Sequence, residues 1–189
     1  MALDAARSLA QRAGRDVRFV HSNIYEAPVA LGETYEVAFV TWGAINWLPD
    51  ILRWAKVVAD VLEPGGFLYL AESHPNTLCL EEVEGRLEPR YGWRTPHERP
   101  LSFADSTTYT GDTRPIAHPL CYEWIHPLSD IVSALIEAGL AIDFLHEHEF
   151  LPYRLFPTMV PAEHRGLFRL PDAYPRLALA FSLKATKRD

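Results

Sequence analysis

Apolar and polar positions alternate between helical and strand spacing along this chain of 189 residues. Apolar residues recur every three or four positions in residues 3–13, 50–62 and 127–140, which predicts three amphipathic helices. Strand patterns, either alternating or continuously apolar, cover residues 17–22, 35–41, 67–73, 141–150 and 176–187. The order helix, strand, strand, helix, strand predicts an α/β fold with a parallel sheet and helical crossovers.

The middle of the chain has a different character. Residues 74–104 are weakly periodic and contain four prolines, which predicts an irregular excursion of the kind that forms lids. Residues 106–113 and 118–125 flank a short turn and predict an antiparallel hairpin. We interpret residues 1–189 as a single domain in which residues 74–126 form an insertion.

Composition and charge narrow the class of protein. The net charge is -7 and no run of Lys or Arg occurs, so the basic surface of a nucleic-acid-binding protein is absent. No apolar run approaches the roughly 18 residues of a membrane span. Residues 1–15 lack the continuous apolar stretch of a secretory signal, and Cys79 and Cys121 form no paired motif. These features predict a cytoplasmic protein whose ligand is a small molecule or another protein, and with neither nucleic acid nor a membrane as partner.

Polar or aromatic residues cluster where three predicted strands end. They occupy residues 21–24, 41–43 and 72–75, and the strands before them are apolar. Ligands of open parallel sheets bind outside the carboxyl ends of the strands. The sequence therefore predicts a pocket at these ends, with Trp42 and Trp47 as aromatic walls; ordinary packing of large apolar groups is the alternative.

Residues 17–73 closely resemble part of a class I S-adenosylmethionine-dependent methyltransferase. The most specific stretch is "LEPGGFLYLAE" at residues 62–72. "VRFVHSNIYEAP" resembles the third strand and its tip, and residues 35–73 resemble the fourth strand, the following helix and the fifth strand. The resemblance implies a Rossmann-like sheet of strand order 3-2-1-4-5-7-6 and S-adenosylmethionine as cofactor.

The resemblance also implies a set of cofactor contacts. Asn23 takes the position of the usual adenine contact, where its amide oxygen can accept from the exocyclic amine. Gly43 lets the backbone approach the methionine end, and an indole attracts the sulfonium. The cofactor-binding residues that it implies are Asn23, Ile24, Thr41, Trp42, Gly43 and Trp47.

Candidates for catalysis and for substrate contact are fewer. His74 follows the 67–73 strand and is placed to contact substrate or act as a base, with capping before the next proline as the alternative. Tyr109 and Tyr122 lie on the predicted hairpin as a substrate wall, unless they serve packing alone. "HEHE" at residues 146–149 offers two histidines on one strand face but no third ligand, so we predict no metal.

One departure from the family pattern is large. None of the ten glycines forms a GxGxG loop, so we expect an N-terminally truncated sheet that lacks the first two strands. Those strands lie between the third and fourth, so their absence exposes the edge of residues 35–41. Three explanations stay open: an upstream start, a remnant without methyl transfer, or direct pairing of residues 17–22 with residues 35–41. We expect the chain as given to bind the cofactor weakly or not at all.

The sequence thus predicts an S-adenosylmethionine-dependent methyltransferase that acts on a small molecule. The alternative is a catalytically inactive methyltransferase-like remnant or partner-binding module, which the missing glycine loop favours. An exposed strand edge also favours self-association, so a homo-oligomer is an open alternative.

Overall fold

A computed structural model describes residues 2–104 and 115–188. The helices are α1 (Ala2–Arg12), α2 (Ala27–Leu31), α3 (Ile51–Val61), α4 (Pro75–Leu78) and α5 (Leu128–Glu137), with turns of 3-10 helix at Ile24–Glu26 and Ile45–Trp47. The strands are β1 (Tyr35–Thr41), β2 (Leu62–Ser73), β3 (Leu80–Val83), β4 (Arg86–Pro89), β5 (Leu101–Ala104), β6 (Leu120–Glu123), β7 (Leu140–His148), β8 (Val160–Pro161), β9 (Phe168–Arg169) and β10 (Ala180–Lys187). In this part of the chain no helix has the length and apolar character that a membrane span needs.

The main sheet has four strands in the order β1-β2-β10-β7. β1 runs parallel to β2, whereas β10 is antiparallel to both β2 and β7. The predicted parallel arrangement is confirmed for β1 and β2, which α3 connects. The chain returns from β7 to β10 through a loop without a crossover helix, and this connection reverses the strand direction. The order matches the 4-5-7-6 part of the strand order that the resemblance implies.

Two helices cover one face of this sheet. Trp54 of α3, together with Ile131 and Leu135 of α5, packs against Leu68 and Leu183 in a single apolar cluster. Asp50 begins α3, because its side chain accepts a hydrogen bond from the backbone N–H of Arg53 at 2.9 Å. The predicted helices at residues 3–13, 50–62 and 127–140 are confirmed to within a few residues.

The β1 end of the sheet is open. Val37 is 46% exposed and Phe39 is 69% exposed, although residues 35–41 have the apolar pattern of a buried strand. Phe39 stacks on Tyr69 of β2 with ring centroids 5.7 Å apart. Among the described strands, β2 is the one ladder partner of β1, which leaves the outer edge of β1 unpaired.

Residues 17–22, predicted as a strand, form none. Their alternating pattern is real, but a strand needs a ladder partner and no described segment pairs with them. Val17 is consequently 49% exposed. The suggestion that residues 17–22 pair directly with residues 35–41 is therefore wrong.

Two further predictions need correction. β2 begins at Leu62 rather than residue 67, so Gly65 and Gly66 lie within the strand, opposite a register shift between Tyr35 and Val37 of β1. Residues 74–104 are also more regular than predicted, because they contain α4, the β3–β4 hairpin and β5. β5 pairs with β6, which confirms a strand in the second hairpin arm; the first arm, residues 106–113, lies outside the described residues.

Gly66 tests the close pairing of β1 and β2. A Cβ at Gly66 would lie 3.0 Å from the carbonyl oxygen of Glu36 and 3.1 Å from that of Tyr35. We expect Gly66→Ala to lower the free energy of unfolding by about 2 kcal/mol in urea denaturation, because backbone atoms must move apart. Gly92→Ala is the control, since its Cβ would meet ordinary contact at 3.6 Å. Equal stability of the two variants would contradict the pairing.

Candidate functional site

A tight turn follows β1 and is held by a buried carboxylate. Trp42 and Gly43 both have positive φ, at 51° and 80°. Glu72, at the end of β2 and only 4% exposed, accepts hydrogen bonds from the backbone N–H groups of Gly43 at 2.5 Å, Ala44 at 2.7 Å and Ile45 at 3.2 Å. Three donors compensate the burial of its charge. Glu72 thus fixes the end of β1 against the end of β2.

Asn46 follows this turn and carries an unsatisfied acceptor. Its backbone carbonyl accepts from the N–H of Trp124 at 2.8 Å, and its Nδ2 donates to Glu123 Oε2 at 3.2 Å. Among the described residues, Asn46 Oδ1 is the one buried side-chain N or O atom without a hydrogen-bond partner. Such a group costs about 1–3 kcal/mol.

A cavity of about 190 Å³ lies at the carboxyl ends of β1 and β2. This is the edge where open α/β sheets bind ligands. Its polar lining comes from Gly43, Asn46, Glu72, Ser73, Glu123, His126 and Tyr153, and its apolar lining from Ile45, Pro75, Leu78, Trp124, Ile131, Leu155 and Phe181. Small-molecule sites usually measure about 300–1,000 Å³. The cavity therefore accommodates one part of a large ligand or the whole of a small one.

His126 is held in one tautomer at the cavity. Its Nε2 lies 2.7 Å from the carbonyl oxygen of Leu48, which can only accept, so Nε2 carries the proton. Nδ1 is then the nitrogen with a free lone pair. Burial lowers the pKa of His126, opposed by the Leu48 carbonyl, so the ring is neutral at neutral pH. His126 can therefore accept a proton at Nδ1.

Tyr153 contacts both Trp42 and the end of β2. Its hydroxyl forms a hydrogen bond with Ser73 Oγ, and its ring meets Trp42 edge-on at 6.3 Å. Burial raises the pKa of Tyr153, against the opposing effect of the Ser73 hydrogen bond, which keeps the phenol protonated.

His74, the predicted catalytic and substrate-contacting residue, is placed as a helix cap. Its Nδ1 accepts from the N–H of Asn76 at 3.2 Å, and its Nε2 lies 3.0 Å from Glu147 Oε1. Burial lowers the pKa of His74, and Glu147 partly opposes this. Both nitrogens are engaged and His74 does not line the cavity, which accords with the capping alternative. Its catalytic role stays a prediction.

The predicted adenine-side residues lie at the same end of the sheet. Asn23 Oδ1 accepts from the N–H of Tyr25 at 3.0 Å and so caps the 3-10 helix that follows. Ile24 is 41% exposed. The Tyr25 hydroxyl accepts from the N–H of Asp50 at 3.0 Å, which fixes the segment beside the start of α3. Contact of Asn23 and Ile24 with adenine stays a prediction.

The other predicted site residues differ in whether they line the cavity. Gly43 lines the cavity. Thr41 and Trp42 precede Gly43 in sequence but do not themselves line the cavity. The half-exposed Trp47 and Tyr122 do not line the cavity either. Tyr109 lies outside the described residues. Sequence reasoning did not single out Asn46, Glu123, His126 or Tyr153 as site residues. Only Asn46 carried a usable signal, since it follows the turn at the end of β1.

Two other candidate sites are a larger cavity and the histidines of β7. A larger cavity of about 500 Å³ follows β7, but its arginines are already paired, Arg169 with Asp172 and Arg176 with Glu149. His148 forms a hydrogen bond with Ser182 at 2.8 Å, and no group of three metal-ligating side chains occurs in residues 2–104 and 115–188. The smaller cavity, with its unpartnered acceptor, is the stronger candidate.

Comparison with known proteins identifies a solved structure that shares the fold of this chain. No protein-family model and no curated protein matches the chain. Among solved structures, an S-adenosylmethionine-dependent methyltransferase from Clostridium acetobutylicum matches with a TM-score of 0.59 at 11% identity, over 99% of this chain and 71% of that one. At this identity the likeness shows that the two chains share a fold.

Two further solved structures are similar at lower scores. They are an S-adenosylmethionine-dependent methyltransferase from Mesorhizobium loti, with a TM-score of 0.49 at 15% identity over 82% of this chain, and a putative one from Listeria monocytogenes, with 0.48 at 14% over 83%. The chain spans 62% of the first and 63% of the second.

Glu72→Gln tests the link between the two strand ends. We expect a loss of about 2 kcal/mol or more in the free energy of unfolding, because an amide cannot accept from all three N–H groups. Hydrogen exchange of the Gly43, Ala44 and Ile45 amides should become faster, whereas exchange of the β1 amides should change less. Glu36→Gln, an exposed change on β1, is the control. Unchanged exchange at the turn in the Glu72 variant would contradict the assigned role.

The histidines predict a pH dependence of stability. The pKa of His126 and that of His74 are both lowered below the ordinary 6.5, so the unfolded chain binds protons more readily. Stability should therefore be fully present above pH 6.5 and should fall as the pH drops below it. Urea denaturation at pH 7.5 and 5.5 should show a smaller loss for His126→Gln than for the wild type. His146→Gln, at an exposed site, is the control; an equal loss in all three proteins would be the contrary result.

Proposed function

We propose that this chain forms the methyl-acceptor side of an S-adenosylmethionine-dependent methyltransferase that acts on a small organic molecule. One observation carries the proposal: the cavity at the carboxyl ends of β1 and β2 contains the turn held by Glu72 and an unpartnered acceptor. The shared fold with a methyltransferase supports the reaction class. The volume of about 190 Å³ supports a small acceptor.

The residues present fit the reacting end of the cofactor. Gly43 presents backbone rather than side chain to the cavity, and a Cβ there would meet only Asn46 Oδ1 at 3.9 Å, so close approach is open. No Lys or Arg occurs among the described lining residues, and Glu72 places negative charge nearby, which suits a sulfonium cation. Backbone groups of Thr41, Trp42 and Gly43 would hold this end. When bound, S-adenosylmethionine supplies an activated methyl group.

The adenosine end fits less well. Asn23 already uses its Oδ1 as a cap, and the 189 residues contain no GxGxG loop. The open edge of β1 supports the proposal that a strand-bearing segment pairs there and supplies the rest of the cofactor site.

The chain's own residues would act mainly through position. Trp124, Leu155 and Phe181 exclude water from the cavity, and the Glu72-held turn fixes the geometry in which an acceptor meets the methyl group. His126 Nδ1 is the candidate group to take a proton from the acceptor, because Nε2 is committed to Leu48. This assignment replaces His74 as the proposed base.

A non-catalytic partner-binding module is the second candidate. The unpaired edge of β1 and the exposure of Phe39 favour it, because both offer a template for another chain. It makes no use of the cavity at the ends of β1 and β2, whereas a small-molecule site does. The two candidates differ in their response to cofactor.

S-adenosylhomocysteine titrated into ¹⁵N-labelled protein tests the proposal. We expect shifts of the Gly43 and Ala44 amide signals and a Kd of about 1 mM, because only part of the cofactor is contacted. Asn76→Leu, a change at an exposed residue that does not line the cavity, should behave as the wild type. The absence of shifts at the turn would refute the methyltransferase assignment and favour the partner-binding module. Micromolar binding would show instead that the adenosine end is already accommodated.

A further inference from the structure

The connection between β6 and α5, residues 124–127, supplies Trp124 and His126 to the cavity and has no regular secondary structure. Its buried polar groups therefore need partners from other parts of the chain. The N–H of Trp124 donates to the carbonyl oxygen of Asn46 at 2.8 Å, and His126 Nε2 donates to that of Leu48 at 2.7 Å. One side of this connection is thus fixed to the residues that follow β1.

Thr95 holds the other side of the connection through both backbone groups of Ile125. The N–H of Thr95 donates to the carbonyl oxygen of Ile125 at 3.0 Å, and the N–H of Ile125 donates to Thr95 Oγ1 at 3.0 Å. Ile125 is 2% exposed and Thr95 is 9% exposed, so water is a poor substitute for either bond. A single threonine therefore satisfies the buried residue that directly precedes His126.

This pairing acts on His126 through the peptide bond that joins it to Ile125. A peptide unit is planar, so the carbonyl group that Thr95 holds fixes the plane that ends at the Cα of His126. The far end of the ring is fixed by the hydrogen bond from Nε2 to Leu48. Because the residue is held at both ends, its Nδ1 is held in one position.

Nδ1 is the nitrogen of this ring that remains available. It has no partner among the described residues. In that part of the chain Asn46 Oδ1 is the one side-chain N or O atom that is both fully buried and unpartnered, so His126 Nδ1 keeps accessible surface. Because His126 lines the cavity, a hydrogen-bond donor on a guest can reach the ring there.

We propose that Thr95 is a positioning residue: its two hydrogen bonds to Ile125 hold the His126 ring so that Nδ1 stays free at the cavity to take a proton from a guest. The placement of the ring is independent of the reaction, whereas the methyl acceptor as the guest rests on the proposed function. Thr95 does not line the cavity, so it acts through His126.

The ring nitrogen signals of His126 in ¹⁵N-labelled protein test this role. We expect one tautomer in the wild type at about pH 7.5, with the proton on Nε2. Thr95→Val has nearly the same shape but cannot accept from Ile125, so the excess of this tautomer should fall by about fivefold, the effect of losing one hydrogen bond. Thr95→Ser keeps the acceptor and should behave as the wild type.

The pKa of His126 provides a second readout. In Thr95→Val it should rise toward the ordinary 6.5, because the loosened connection admits water and burial is the main cause of the lowered value. Asp50 and Asp130 both raise the pKa of this ring, and neither is changed in the variants.

Thr77→Val is the matched control. Thr77 is 2% exposed and its Oγ1 donates to the carbonyl oxygen of Ala178 at 3.1 Å, so this variant also loses a buried threonine hydrogen bond. It should lower the free energy of unfolding and leave the ring signals of His126 unchanged. An unchanged tautomer ratio in Thr95→Val, or an equal change in Thr77→Val, would overturn the proposal.

Thr95→Cys replaces Thr95→Val if the latter does not fold. It differs from Thr95→Ser by one atom, and its sulfur is a weak acceptor. The excess of the Nε2-protonated tautomer should be smaller in Thr95→Cys than in Thr95→Ser, and equal ratios in the two variants would overturn the proposal.

S-adenosylhomocysteine titrated into the wild type separates this inference from the proposed function. Binding of S-adenosylhomocysteine, together with ring signals that do not respond to Thr95→Val, would overturn the positioning role alone. A ring that responds to Thr95→Val in a protein that does not bind S-adenosylhomocysteine would support the positioning role and refute the proposed methyltransferase function.

Discussion

The buried carboxylate of Glu72 is the constraint on which the site depends. A charge that is 4% exposed is tolerated only with several donors, and the three N–H groups of residues 43–45 provide them. They converge on one carboxylate because Trp42 and Gly43 turn the chain sharply at the end of β1. That turn brings Asn46 beneath β6, and the cavity with its unpartnered oxygen follows from this placement.

Much of the fold could be predicted because hydrophobic periodicity reports burial. Helices α3 and α5 and strands β1, β7 and β10 lie close to their predicted positions, and the family resemblance supplied the order of the four main strands. Exposure could not be predicted in the same way. Val37 and Phe39 have the pattern of a buried strand, but burial depends on which neighbours cover the face. Residues 17–22 alternate correctly and lack a partner, so no strand forms.

Less of the site could be predicted. Gly43 and Glu72 were visible at strand ends, where the topology of α/β sheets directs attention. The pairs that give the cavity its chemistry join residues far apart in sequence, Asn46 with Glu123 and His126 with Leu48. No local pattern encodes such pairs. His74 looked chemically suitable, but its nitrogens are occupied by Asn76 and Glu147, which only the tertiary structure could reveal.

The central claim is that the turn held by Glu72 and the adjacent cavity form the reacting end of a methyltransferase site. A crystal structure of the chain with S-adenosylhomocysteine at millimolar concentration tests it most directly. We expect electron density for the sulfur-bearing end against the backbone of Gly43, with the cavity beside Asn46 left free for an acceptor. Density confined to the larger cavity after β7, lined by residues such as His164 and Tyr174, would contradict it.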